Sequence, residues 1–119
     1  RLHLMLAVLQ KHGQVKLDSY DVFINIVGGF KIKEPAADLG LLMAIASSKL
    51  KKSLKSDLII IGEVGLSGEI RAISHLEKRL QEASKMGFKQ AIIPNIKQNI
   101  KTDLILHKVK TIKEALQII

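Results

Sequence analysis

An α+β domain with a mixed sheet and packed helices is the fold this sequence predicts, and three observations lead there. Stretches of helical and strand periodicity alternate along the chain, and glycine or proline punctuates most changes of period. No repeat, low-complexity stretch or obvious internal linker interrupts the 119 residues. A chain of that length that is 47% hydrophobic can bury one compact core, and residues 1–119 read as a single domain.

Taken in order, Leu2 to Lys11 is nearly all apolar and is followed by Gly13, which predicts a buried helix with a glycine stop. Tyr20 to Val27 alternates Val22, Ile24 and Ile26 against Asp21, Phe23 and Asn25, the pattern of a strand, and Gly28-Gly29 breaks it. Pro35 suits the first turn of a helix from about Ala36 to Leu50, because its missing N–H has no helical partner to lose there. Leu39, Leu41, Leu42, Met43 and Ile45 leave that helix apolar around most of its circumference, so it is expected at the centre of the domain. Leu58 to Ile61 reads as an interior strand and Glu69 to Ile73 as a second strand after a glycine-rich turn. Ser74 and Glu77 have capping-box spacing ahead of a helix in which Leu76, Leu80 and Ala83 form a buried stripe, and Gly87 ends it. Gln90 to Ile93 and Leu104 to Val109 follow as strands. Thr111 and Glu114 repeat the capping spacing before a final helix.

Composition narrows the function classes. With three Phe, one Tyr and no Trp the core must be aliphatic, and there are few platforms on which bases could stack. The absence of cysteine excludes disulfides and thiolate metal sites and fits a reducing cytoplasm. No apolar run approaches the roughly 20 residues of a membrane span, and no signal peptide is visible. Arg1, not Met, stands where a helix begins, so the chain reads as a piece of something longer. The net charge of +8 is spread along the sequence, with one cluster at Lys49-Leu50-Lys51-Lys52-Ser53-Leu54-Lys55. Lysines after a helix complement its carboxyl end, and they also suit contact with phosphates.

Several patterns have structural explanations. Gly62-x-x-Gly65-x-x-Gly68 lies between two expected strands and lacks the Lys-Ser/Thr of a phosphate loop, so it is read as a turn. His3, His12, His75 and His107 are scattered, with no partner at i+3 or i+4, and nominate no metal site. Glu34 and Asp38 bracket Ala36 and are expected to complement the positive end of the helix that starts there. Ser47, Ser48, Ser67 and Ser74 are candidate hydroxyl nucleophiles, but the sequence nominates no lysine as a desolvated base beside any of them.

The motifs also carry a family resemblance. Lys33-Glu34-Pro35-Ala36-Ala37-Asp38, Gly62-Glu63-Val64-Gly65-Leu66-Ser67-Gly68, Leu76-Glu77-Lys78-Arg79-Leu80 and Ala83-Ser84-Lys85-Met86-Gly87-Phe88-Lys89-Gln90-Ala91-Ile92-Ile93-Pro94 resemble, in that order, segments of the proteolytic domain of Lon proteases. There a Ser nucleophile sits in Gly-Pro-Ser-Ala-Gly and a Lys base in Gly-Gly-Leu-Lys-Glu-Lys-Leu. The matching positions here are Ala36 and Arg79. Alanine has no oxygen to attack a carbonyl, and an arginine stays protonated and cannot take up the proton a hydroxyl nucleophile must lose.

The segments Asp21 to Phe30, Glu34-Pro35-Ala36-Ala37-Asp38-Leu39 and Gly62 to Arg71 further resemble the carboxy-terminal domain of the RadA (Sms) family of bacterial DNA-repair proteins. That resemblance implies the ribosomal-protein-S5 domain 2-like fold of Lon, without peptidase activity. It also implies an upstream RecA-like ATPase and a zinc-binding segment, so ATP, Mg and Zn are expected there and no cofactor or metal in residues 1–119. The implied assembly is a homo-oligomer, a hexameric ring that promotes branch migration in recombination, in the cytoplasm and away from any membrane. This domain would serve as ring scaffold and as a surface for single-stranded or branched DNA, held through the phosphate backbone. Lys31, Lys33, Arg71, Lys78 and Arg79 are the candidate contacts. The alternative is a pseudo-peptidase that binds unfolded chains or a partner protein without cleavage, and a cryptic hydrolase is a third reading.

Overall fold

The structure, a computed structural model, describes residues 2–16 and 34–119. The strand expected over Tyr20 to Val27, its Asn25, the break at Gly28-Gly29, and both Lys31 and Lys33 lie outside the described residues. Helix α1 (Leu2–His12) comes first, and a 3-10 turn (Pro35–Ala37) leads directly into α2 (Asp38–Leu50). Then come β1 (Leu58–Ile60), β2 (Glu63–Val64), β3 (Ile70–Arg71), α3 (Leu76–Lys85), β4 (Gln90–Pro94), β5 (Ile105–Val109) and α4 (Ile112–Leu116).

Strands β1, β4 and β5 form a parallel sheet in that order, with Leu58 opposite Gln90 and Gln90 opposite Ile105. Antiparallel pairing, among the described residues, is found in a two-stranded ribbon in which Glu63 faces Arg71 and Val64 faces Ile70, and in a single bridge between Glu69 and Thr111. The domain is therefore α+β, with both kinds of pairing, which among the described residues fall in a three-stranded sheet and a two-stranded ribbon. Parallel neighbours need a long crossover. The ribbon and α3 supply the one from β1 to β4.

Strand β4 explains the layering. Ala91, Ile92 and Ile93 are all fully buried, a continuous apolar run that a parallel strand needs when helices cover both of its faces. Side chains alternate across a strand, and the core divides accordingly. Ile92 joins the cluster built from α1, α2 and α4, whereas Ala91 and Ile93 join Ala36, Ile61, Leu76, Leu80 and Ala83. The sequence placed the interior strand at Leu58 to Ile61, yet the β1 side chains are half-buried. Among the described residues β4 holds the centre.

Helix α2 buries Leu39, Leu42, Met43 and Ala46 completely, the i, i+3, i+4, i+7 stripe, and leaves Leu41 and Ile45 half-buried. Its apolar surface is thus graded and not uniform. At the end of α1, Gly13 donates to the Leu9 carbonyl at 3.0 Å, and a Cβ there would stand 2.7 Å from that same oxygen. The left-handed residue is the next one, Gln14, at φ 57°. Gly87 ends α3 at φ 99°, as expected.

Candidate functional site

The 3-10 turn is fixed from both sides. Glu34 is extended, and its Oε1 accepts the Ala36 N–H at 3.2 Å, satisfying a donor that the start of a helix leaves free. The Ala36 carbonyl accepts the Gly62 N–H at 2.9 Å, and the Leu39 N–H donates to the Gly62 carbonyl at 3.0 Å. Such close backbone approach needs glycine at position 62, where a Cβ would fall 2.9 Å from Ile70 Cγ2. Asp38, fully buried, accepts the Val64 N–H at 3.2 Å through Oδ2. The two carboxylates therefore divide their work: Glu34 caps the turn, and Asp38 ties α2 to the ribbon.

Arg79 approaches from the opposite side. The residue before α3, His75, is left-handed at φ 58°, ψ 33°, and makes no side-chain cap. The expected Ser74/Glu77 capping box does not form, because with His75 at the cap position Ser74 lies outside it. The Glu77 carboxylate finds a tertiary partner instead, and the backbone of Ser74 meets a local one. The Ser74 carbonyl accepts Arg79 Nε at 3.0 Å, and Glu77 Oε1 accepts the Lys101 N–H at 2.8 Å. Held in this way, the Arg79 guanidinium places Nη2 at 3.5 Å from Glu34 Oε1.

One carboxylate oxygen thus meets both positions singled out by the sequence, the backbone of Ala36 and the side chain of Arg79. Ala36 is only 5% exposed and packs with Leu76 and Leu80. Ala36, Arg79 and Glu34 present a buried methyl, a permanently cationic guanidinium and a carboxylate, and neither Ala36 nor Arg79 can act as the hydroxyl nucleophile or the neutral amine base of a dyad. The sequence led to an expectation that Glu34 complements the positive end of the helix and gave no link to Arg79; the pairing of Ala36 with Arg79 was the signal that could have found it.

The remaining candidates differ in how free their charge is. Lys78 is exposed. Arg71 is offset by two acids, with Nη2 at 3.2 Å from Glu69 and Nη1 at 3.8 Å from Glu63. Glu69's own backbone N–H, followed by Arg71 beside it, holds the Glu69 carboxyl below the usual glutamate range. Ser67 N–H also donates to it, at 3.0 Å. This ribbon accounts for the other glycines: a Cβ on Gly65 would collide with the Glu69 carboxylate, and Gly68 is left-handed at φ 82° against His12. Among the described residues no three His, Asp or Glu side chains assemble as a metal site. No helix among them is long and apolar enough to cross a membrane.

Residues 4–97 match the family described as subunit ChlI of Mg-chelatase. The chain belongs to this family. It is also 50% identical, over 124 aligned residues and its whole length, to DNA repair protein RadA of Chlamydia pneumoniae. Identity is 45% over 119 residues to RadA of Aquifex aeolicus, and 42% over 120 residues, 99% of the chain, to RadA of Escherichia coli. The RadA resemblance read from the motifs thus extends over the full chain. The chain spans 26–27% of the length of these relatives.

Proposed function

We propose that this chain is a catalytically silent, Lon-like domain of a RadA-type DNA repair and recombination ATPase, with the S5 domain 2-like fold. In this reading it serves as a hexamerisation scaffold and as a DNA-contact surface during branch migration in the cytoplasm. ATP hydrolysis, with its Mg, and the zinc-binding segment belong to other parts of the full-length protein. The observation that carries the reading is the shared Glu34 oxygen, which joins Ala36 and Arg79 at 3.2 and 3.5 Å. The positions that resemble a Ser–Lys dyad are neighbours, and a cation stands where a base is required. Lys78 and Arg79 are consecutive on α3, and phosphate contact by such side chains supplies most sequence-independent affinity for nucleic acid. Magnesium chelation is not the reading we favour, because the 42–50% identity over 99–100% of this chain lies with proteins named for DNA repair.

The test is fluorescence anisotropy of labelled single-stranded DNA at low and moderate salt, with oligomeric state measured on the same samples. Salt-sensitive binding by a ring-forming protein that leaves casein uncleaved is the expected result. Casein cleavage, or a ring with no affinity for DNA, would overturn the proposal and favour the cryptic-hydrolase or pseudo-peptidase reading respectively.

A further inference from the structure

Beside the start of α3 lies an open cleft of about 620 Å³, within the range of small-molecule sites. Ile73, Ile96 and Ile100 line it and pack against the same core cluster as Leu76 and Leu80, so its apolar wall is built on fixed side chains. Gln98 and Asn99, both exposed, bring primary amides to the same cleft, and Lys78 and His75 complete its rim. The carboxylate in the lining, Glu77, accepts the Lys101 N–H at 2.8 Å and thereby ties the segment at 96–101 to α3. His75 holds a left-handed backbone, a conformation that costs a non-glycine residue energy and concentrates at ligand-contacting positions.

We propose that this cleft binds one unstacked nucleotide of single-stranded DNA and so makes the domain selective for single strands. The proposal rests on the DNA-contact reading above and adds a site to it. A flat base would lie against the three isoleucines. Its polar edge would meet the Gln98 and Asn99 amides, which carry both donors and acceptors and so accept any base. The adjoining phosphate would meet Lys78. Bases inside a duplex are stacked and paired and cannot enter such a cleft, whereas a single strand offers them at low cost. The chemistry favours this occupant over polypeptide because the rim pairs a cation with amides and its carboxylate is engaged with backbone.

The experiment compares labelled oligothymidylate with a duplex of equal length, bound to the full chain and to its Q98A/N99A and K78Q variants. Q98A/N99A should weaken oligothymidylate binding about tenfold and leave the duplex within about twofold. K78Q should weaken both, because phosphate is common to them. Equal effects of Q98A/N99A on the two nucleic acids, or none, would overturn the cleft while leaving the DNA-contact reading intact. Absence of salt-sensitive binding to either nucleic acid by the wild-type chain would overturn both. Loss of carboxymethylated-casein binding in Q98A/N99A, with oligothymidylate affinity unchanged, would assign the cleft to polypeptide and overturn the proposal.

Discussion

The starts of α3 and α4 carry the same spacing, Ser74-x-x-Glu77 and Thr111-x-x-Glu114, and fold differently. At α4 the cap residue Thr111 is extended, and its hydroxyl accepts the Glu114 N–H at 3.1 Å while Glu114 reaches back to the Lys110 N–H at 3.3 Å. At α3 the helix begins after a left-handed His75, and no side chain caps it. The same two residues serve the candidate site and the cleft in other ways: the Ser74 backbone carbonyl accepts Arg79 Nε, and the Glu77 carboxylate accepts the Lys101 N–H in the wall of the cleft. A capping motif reports what a sequence can do locally. Tertiary partners decide whether it does so.

The comparison breaks most visibly through the core. If packing and not a cap holds α3 in place, Leu80→Ala should cost about 2–5 kcal/mol in denaturant melts, because Leu80 is fully buried. A cost below about 1 kcal/mol would mean that α3 is held by something else.

The caps themselves give the next largest difference. Thr111→Ala should destabilise by about 1 kcal/mol, whereas Ser74→Ala should stay within about 0.5 kcal/mol. Equal costs would restore the capping box at Ser74 and contradict the structure.

A smaller effect sharpens the site. If Arg79 meets phosphate as proposed, Glu34 competes for it, so Glu34→Gln should raise single-stranded DNA affinity several-fold, and the gain should vanish in an R79Q background. The same gain in both backgrounds would reduce Glu34 to a contribution to net charge.

The smallest effect concerns acid. The folded-state pKa of Glu69 is lowered, so its contribution is present above the unfolded value and is lost as pH falls through the folded one. An NMR titration of Glu69 should give a midpoint below the ordinary glutamate value, moving upward in Arg71→Gln. A midpoint unmoved by that change would detach Glu69 from Arg71.

Much of this was legible in the sequence because it is local. The Leu76-Leu80-Ala83 face, the Gly87 stop and the Thr111 cap all follow from spacing within one or two turns. What was not legible spans distance. The Asp38 to Val64 bond joins residues 26 apart, Glu77 to Lys101 joins residues 24 apart, and no periodicity announces either. Position 62 shows the intermediate case: the glycine was visible, but its reason, one backbone hydrogen bond to Ala36 in the turn and one to Leu39 in α2, was not. The cleft escaped notice because Gln98 and Asn99 sit in a connection with no pattern of its own.

The central claim, that Arg79 and its neighbour Lys78 serve DNA where a dyad would serve hydrolysis, is tested most directly by the salt dependence of single-stranded DNA binding. With both side chains reversed in K78E/R79E, two phosphate contacts should be lost, the slope of log affinity against log salt should become shallower by about 1.4, and affinity should fall at least about tenfold. An unchanged slope and affinity in a folded K78E/R79E protein would contradict the account.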